Sequence, residues 1–184
     1  MATALIAPVQ TVSGNQPRMR RIIENATQTF LLGVPLQIDD ATGSMEIWDG
    51  TTETLGIAGF SAEPGSNLTT AGVPKTLSYG SVPNEPAALN IPMGAPLNDG
   101  RTGFFVANDD TVFKGQVGPL QEAIPAIVGN QYGLTVDTDG HWYVDLTDTT
   151  DVVVRVVKLD PNDQATVKRG VYFIVIPLAQ QLQA

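Results

Sequence analysis

The sequence predicts an all-β protein, an antiparallel β-barrel or sandwich built of short strands and hairpins with little helix. Glycine and proline supply 31 of the 184 residues, 18 and 13 respectively, and charged residues only 16%, a composition that favours turns over long helices. In the first third, apolar residues recur at every second position between turn sequences, as in strands with one buried face. A barrel, a sandwich and two small β lobes stay open as alternatives.

The beginning of the chain differs from the rest and predicts an extended N-terminal arm, residues 1–25, ahead of a β domain, residues 26–184. Small and polar residues lead into Arg18, Arg20 and Arg21, which are three of the ten basic residues. One interpretation is a solvated, partly disordered arm. The other is an arm that crosses a neighbouring subunit and places these arginines on acidic surface.

Residues 29–63 read as three consecutive strands around which the rest is organised. In the first strand the alternating apolar residues are Leu32, Val34, Leu36 and Ile38. Pro35 cannot donate to a ladder, which predicts a sheet edge or a bulge at that position. Asp49-Gly50 lies between apolar runs, a strong hairpin signal. Gly56 and Gly59 predict a bend or the close approach of another backbone.

The middle of the chain is predicted to be extended. Six prolines fall within residues 64–96, and proline both removes a helix donor and clashes with the preceding turn. We expect extended structure over residues 81–93 and short strands at residues 103–106 and 111–114, separated by a turn.

Residues 119–128 are the one helix candidate, because their apolar residues approximate a helical face. Pro125 interrupts that face, so a turn or two at most, or an irregular linker, is expected. If the chain forms two lobes, their boundary is predicted near residues 118–130.

The last third predicts hairpins again. The turn Asp137–Gly140 separates two strand-forming runs. Residues 152–157 and 171–176 are apolar at nearly every position, which is typical of central strands covered on both faces.

Composition excludes several classes of function. A net charge of −9 and a pI near 4.3 argue against a wide nucleic-acid-binding patch. The absence of cysteine removes disulfides, thiolate metal sites and cysteine nucleophiles. Because no apolar stretch approaches ~18 residues, no membrane helix is expected, and the first seven residues lack the basic start of a secretory signal.

Candidate catalytic and ligand-binding residues are few, and we expect no enzyme, no cofactor and no metal. The single His141 suits a hairpin position, and the surroundings of Ser61 lack the final glycine of a nucleophile elbow. Asp137–Gly140 resembles the start of a calcium loop without its remaining ligands. Trp48 and Trp142 could stack on a sugar but favour the core. Carboxylates lie mostly in turn sequences, so a glycosidase pair is the least favoured hypothesis.

Several blocks of the chain resemble one family. The blocks are GVPLQID, MEIWDGTTETLGIAGFSAEPGSNL, YGSVPNEPAALNIPMGAPLNDGRTGFFVANDDTVFKGQVG, VGNQYGLTVDTDGHWYVDLT, VVVRVVKLDPND and RGVYFIVIP. Together they resemble the capsid cement, or head decoration, proteins of tailed bacteriophages. They are patterns of glycines, turns and apolar strands rather than a catalytic signature.

The resemblance implies a structural virion protein that binds the outer surface of the phage head and bridges major capsid subunits. It implies homo-oligomers, with a trimer favoured over a dimer, on the capsid exterior, and presence in the host cytoplasm during assembly. Arg18, Arg20 and Arg21 are then the candidate capsid contacts, and we expect the fold to survive removal of residues 1–21. The alternative is a carbohydrate-binding or adhesin module of a virion.

Overall fold

The computed structural model describes residues 5–50, 56–68, 70–72, 100–163 and 165–182. These residues form short β-strands and two single-turn 3-10 helices, Pro125–Ile127 and Pro177–Ala179. The strands are β1 (Ala7–Thr11), β2 (Met19–Ile23), β3 (Pro35–Ile38), β4 (Met45–Ile47), β5 (Gly59–Ser61), β6 (Arg101–Val106), β7 (Thr111–Gln116), β8 (Gln131–Val136), β9 (Trp142–Asp145), β10 (Val154–Leu159) and β11 (Gly170–Val175). The all-β prediction is confirmed. The predicted extended stretch at residues 81–93 lies outside the described residues.

The strands form two antiparallel sheets that pack face to face as a sandwich. The first sheet has the order β2-β6-β5-β3-β4 and the second has the order β1-β7-β11-β10-β8-β9. Phe60 of the first sheet lies against Phe113 and Phe173 of the second, with ring centroids 4.6 and 6.0 Å away. The barrel alternative is not realised, since neither sheet closes through a continuous ladder of strands, and the sandwich alternative fits.

The two sheets repeat one connectivity. If β1 is set aside, adding five to each strand number of the first sheet gives the second sheet in the same order. Each sheet also curls so that its last strand meets the end of its first through an isolated parallel bridge, Glu24 with Met45 and Val117 with Val144. The amide after each bridging residue donates to the partner's carbonyl, at 2.8 Å from Asn25 and 3.1 Å from Gly118.

Side chains repeat as well as backbone. Arg21 and Lys114, each three residues before its bridge, form salt bridges to acids that follow the fourth strand of their repeat. These acids are Glu63 and Asp160, with nitrogen–oxygen distances of 3.2 and 2.7 Å. The junction between the repeats falls at residues 107–110, whereas the sequence places a sub-boundary near residues 118–130. The latter segment joins β7 to β8 inside the second repeat.

One hydrophobic core serves both sheets. The central position predicted for β10 and β11 is confirmed. β11 is buried along nearly its whole length, but β10 alternates, and its outward residues Arg155 and Lys158 are exposed. Val157 lies at a register shift in β10, because Val156 pairs with Phe173 and Lys158 with Tyr172. The expectation of burial on both faces therefore holds for β11 alone.

The N-terminal residues belong to the sheets, which corrects the expectation of an extended arm. β1 pairs with β7 in the second sheet and β2 pairs with β6 in the first. Ile6 is only 3% exposed and joins the core cluster, so burial of apolar surface holds this segment in place. The domain boundary at residue 25 stays a prediction. Within the described residues, no helix is long and apolar enough to cross a membrane.

Candidate interaction surface

The three predicted contact arginines lie on or beside β2, but they do not share one environment. Arg18 and Arg20 are exposed. Arg21 is half-buried, with its Nη2 3.2 Å from Glu63 Oε1, and it donates to the Arg101 carbonyl at 3.1 Å. Arg21 therefore stabilises the chain itself, whereas Arg18 and Arg20 are directed to solvent.

β2 is an edge strand of the first sheet, and apolar residues are exposed along it. Met19 is 56% exposed and Ile23 47%. Two exposed cations and two exposed apolar side chains thus lie within six consecutive residues. Aromatic or apolar anchors next to arginine are typical of protein-binding surfaces. Met19 and Ile23 are not among the contact residues predicted from sequence, although the run Ile22-Ile23 after Arg21 is a signal for a strand.

The turn between β8 and β9 brings Asp137, Asp139 and His141 together. One ligand atom from each lies within 4.8 Å of the others. Asp137 Oδ1 accepts from the amides of Asp139 and His141, and its Oδ2 accepts from the Tyr143 hydroxyl, each at 2.9 Å. The amide of His141 above all holds the pKa of Asp137 below its ordinary value. These bonds account for the hairpin without an ion, and the hairpin position predicted for His141 is confirmed.

The other candidate residues serve the fold. Ser61 is buried, donates its Oγ hydrogen to the Leu31 carbonyl at 2.7 Å and accepts from the Val34 amide at 3.0 Å. Trp48 and Trp142 are buried, with ring centroids 5.6 Å apart. The core position predicted for both tryptophans is confirmed, and neither ring is an exposed platform for a sugar.

Turn carboxylates have the local backbone role that the sequence predicts. Asp39 accepts from the Thr42 hydroxyl at 2.6 Å and from the Ala41 amide at 3.1 Å. Asp110 accepts from the amide and hydroxyl of Ser13, at 2.7 and 2.6 Å. These bonds, the hydroxyl bond first in each case, lower the pKa of both carboxyls. Each acid thus fixes a turn, and Asp110 also ties β1 to β7.

A surface groove of about 300 Å³ lies beside the segment after β7. Its polar side chains already bind one another, since Gln121 donates to Asp145 at 2.7 Å and Asp145 accepts from Thr147 at 2.7 Å. Leu120 forms part of its lining and is fully exposed. The groove lacks the convergent unsatisfied polar groups of a catalytic site. The single 3-10 turn at Pro125–Ile127 agrees with the turn or two expected for residues 119–128.

Comparison of the chain with known protein families, with curated proteins and with solved structures gave no match.

Proposed function

We propose that this protein is a non-enzymatic structural protein that binds the outer surface of a phage head and bridges neighbouring major capsid subunits. The observation that supports a binding role is the exposed basic edge of β2. Arg18 and Arg20 stand there beside Met19 and Ile23, on a chain whose net charge is −9. The resemblance of the sequence blocks to head decoration proteins supports the choice of a capsid as the partner.

The polar residues considered as catalytic candidates are already hydrogen-bonded within the fold. This supports a binding role over an enzymatic one. Among the described residues, Ser61 is buried in the fold and Asp137 is held by its own turn. The charge balance also favours a protein partner, because an acidic protein is repelled by nucleic acid.

Multiple attachment makes this role physically reasonable. A standard interface buries about 800 Å² on each partner, but contacts to several subunits of a lattice multiply weak affinities. We therefore propose a homo-oligomer, with a trimer favoured over a dimer, on the capsid exterior. Before attachment the protein would be in the host cytoplasm, where its negative charge favours solubility.

Co-sedimentation with heads assembled from the major capsid protein tests the proposal. Expanded shells should bind the protein saturably at a fixed ratio per capsomer, and the ratio reports the oligomeric state. The double variant Arg18→Ala/Arg20→Ala should bind more weakly. The matched control Arg155→Ala/Lys168→Ala removes the same charge from other exposed positions and should bind normally. Absence of saturable binding to both immature and expanded shells would overturn the proposal.

A further inference from the structure

β1 is an additional strand of the second sheet that has no counterpart in the described part of the first sheet. Its position shows where a further strand can be added to the repeat. β1 pairs antiparallel with the outer edge of β7, the first strand of the second repeat. The first strand of the other repeat is β2, which takes the corresponding edge position in the first sheet. Among the described strands none pairs with the outer edge of β2 at Met19, whereas just past β2 the bridge between Glu24 and Met45 closes that edge. The fold thus shows a strand added at one of two equivalent edges.

Hydrogen bonds at the two ends of β2 show which residues face outward. The Arg18 carbonyl accepts from the Val106 amide at 2.9 Å, and the Glu24 amide donates to the Gly100 carbonyl at 2.9 Å. Inward and outward residues alternate in an antiparallel ladder. Met19 and Ile23 therefore direct their backbone N–H and C=O groups away from β6. Met19 has no second partner strand in the described part of the chain, whereas the bridge between Glu24 and Met45 places the Met45 amide on the Ile23 carbonyl.

Charge identifies the kind of strand that fits this edge. Arg18 and Arg20 lie two positions apart, on the same face of β2, and both are exposed. A second copy paired through its own β2 would place arginines opposite arginines, and like charges on facing strands are destabilising. An acidic strand would instead pair favourably with both arginines. β1, the strand already added at the other edge, carries no charged residue.

We propose that the outer edge of β2 binds an extended acidic segment of a partner protein by strand addition, as β1 is added to β7. Its backbone would pair with Met19, and acidic side chains at alternate positions would meet Arg18 and Arg20. The Ile23 end is bounded by Gly72, where an added β-carbon would lie 2.8 Å from Ile23 Cγ2. The inference rests on the proposed function only in naming the capsid subunit as the source of the segment.

Selection from a random library of displayed decapeptides on the full-length protein tests this inference without capsids. We expect the recovered peptides to carry Asp or Glu at alternate positions. Binding of a recovered peptide should weaken about 2- to 10-fold in Arg18→Ala/Arg20→Ala, the range expected for one or two exposed ion pairs. It should be unchanged in Arg155→Ala/Lys168→Ala. Met19→Pro, which removes an outward amide and no bond to β6, should abolish binding while the protein stays folded.

Amide hydrogen exchange supplies a second readout that a merely electrostatic contact would not change. Exchange at Met19 should slow when the peptide binds, because strand addition pairs its amide. Recovery of no peptide, recovery of peptides without acidic residues, or binding that ignores the arginine pair would overturn the inference. Dimers of the protein alone that Met19→Pro dissociates would assign the edge to a second copy and also overturn it.

The capsid proposal and the edge assignment can be contradicted independently of each other. If peptides bind as expected but expanded heads do not retain the protein, the edge assignment stands and the capsid role falls. If heads retain the arginine variant fully and no peptide is recovered, the edge assignment falls alone.

Discussion

At the scale of single residues, Glu24 is a carboxyl group at a position where the other repeat has an apolar residue. Its counterpart is Val117, and both side chains are completely buried. Glu24 Oε1 accepts from the Ser66 amide at 2.7 Å, whereas Oε2 has no hydrogen-bond partner. Burial, only partly offset by these bonds, raises the pKa of Glu24 above its ordinary value. The residue therefore makes stability depend on pH.

Glu24→Gln should reduce that pH dependence. A raised pKa means that the folded state holds the Glu24 proton more tightly, so this stabilisation is complete below the ordinary pKa and is lost as the pH rises through the raised one. The free energy of unfolding of the variant, relative to that of the native protein, should increase as the pH rises above the ordinary pKa of a glutamate. Urea titrations measure this, with exposed Glu122→Gln as the control. A constant difference across the range would contradict the prediction.

The salt bridge between Lys114 and Asp160 is the shorter of the two repeated ion pairs. Burial disfavours the Asp160 charge, but hydrogen bonds from Lys114 and the Asn162 amide outweigh it and hold the pKa below its ordinary value. The side chain of Asp160 is 5% exposed and that of Lys114 44%. The pair thus joins a buried anion to a cation that is partly screened by solvent.

Lys114→Met should destabilise the fold, because it leaves the Asp160 carboxylate buried without its cation. We expect a loss of about 1–2 kcal/mol, below the value for a fully buried pair because Lys114 is partly exposed. The loss should shrink as the pH falls far enough to protonate Asp160. Chemical denaturation of the variant beside exposed Arg155→Met measures it, and equal stabilities of the two would refute the expectation.

At the scale of elements, β1 is joined to the core by more than its ladder. Its neighbour Ile6 is buried in the core cluster, and Asp110 binds Ser13 beyond the other end. These contacts make the described residues of this segment, 5–21, part of the fold. Their removal should therefore destabilise the protein, contrary to the expectation from sequence that the fold survives without them.

Ile6→Ala tests this role of the N-terminal segment. Truncating a buried isoleucine to alanine typically costs about 2–5 kcal/mol, which includes the cavity that remains. Val12→Ala, at a position 72% exposed, should change stability by less than about 0.5 kcal/mol. Thermal and urea unfolding of both variants give the comparison. Similar values for the two would mean that the segment is not held in the core.

Turns were the elements most readily predicted from sequence, because glycine in them has a specific backbone reason. Gly50 and Gly140 have φ of +88° and +83°, in the left-handed region that other residues rarely adopt. The sheet edge predicted from Pro35 is not observed. Pro35 begins β3, which lies between β5 and β4 rather than at an edge, and the first residue of a strand also tolerates proline.

The N-terminal strands and the candidate surface were harder to predict, for physical reasons. β1 and β2 pair with β7 and β6, which lie far along the chain, so no local hairpin signal marks them. The arginines were visible in the sequence, but the separate environment of Arg21 depends on Glu63, 42 residues away. Exposure of Met19 and Ile23 likewise follows from the edge position of β2, which only the sheet order shows.

At the scale of the whole molecule, the two repeats share one interior. Phe60 from the first repeat contacts Phe113 and Phe173 from the second, and all three rings are fully buried. Neither repeat therefore buries its aromatic residues alone. We expect the repeats to unfold together, as one cooperative unit.

Phe60→Ala should destabilise both repeats at once. The expected cost is about 3–5 kcal/mol, the range for removing a buried phenylalanine. Calorimetry should show a single transition at lower temperature rather than a shifted and an unshifted one. Two transitions, of which the substitution moves only one, would show that the repeats are independent domains.

The tryptophan pair provides an intrinsic spectroscopic probe of the interface between the two sheets. Trp48 and Trp142 are the two tryptophans of the chain, one following β4 and one beginning β9, with ring planes inclined at 45°. Indoles this close couple their electronic transitions, so the pair should produce an exciton couplet in circular dichroism. If the sheets part while each keeps its strands, the couplet disappears and the far-ultraviolet β signal remains. Circular dichroism without any attached label can therefore report whether the two sheets stay packed together during binding or unfolding.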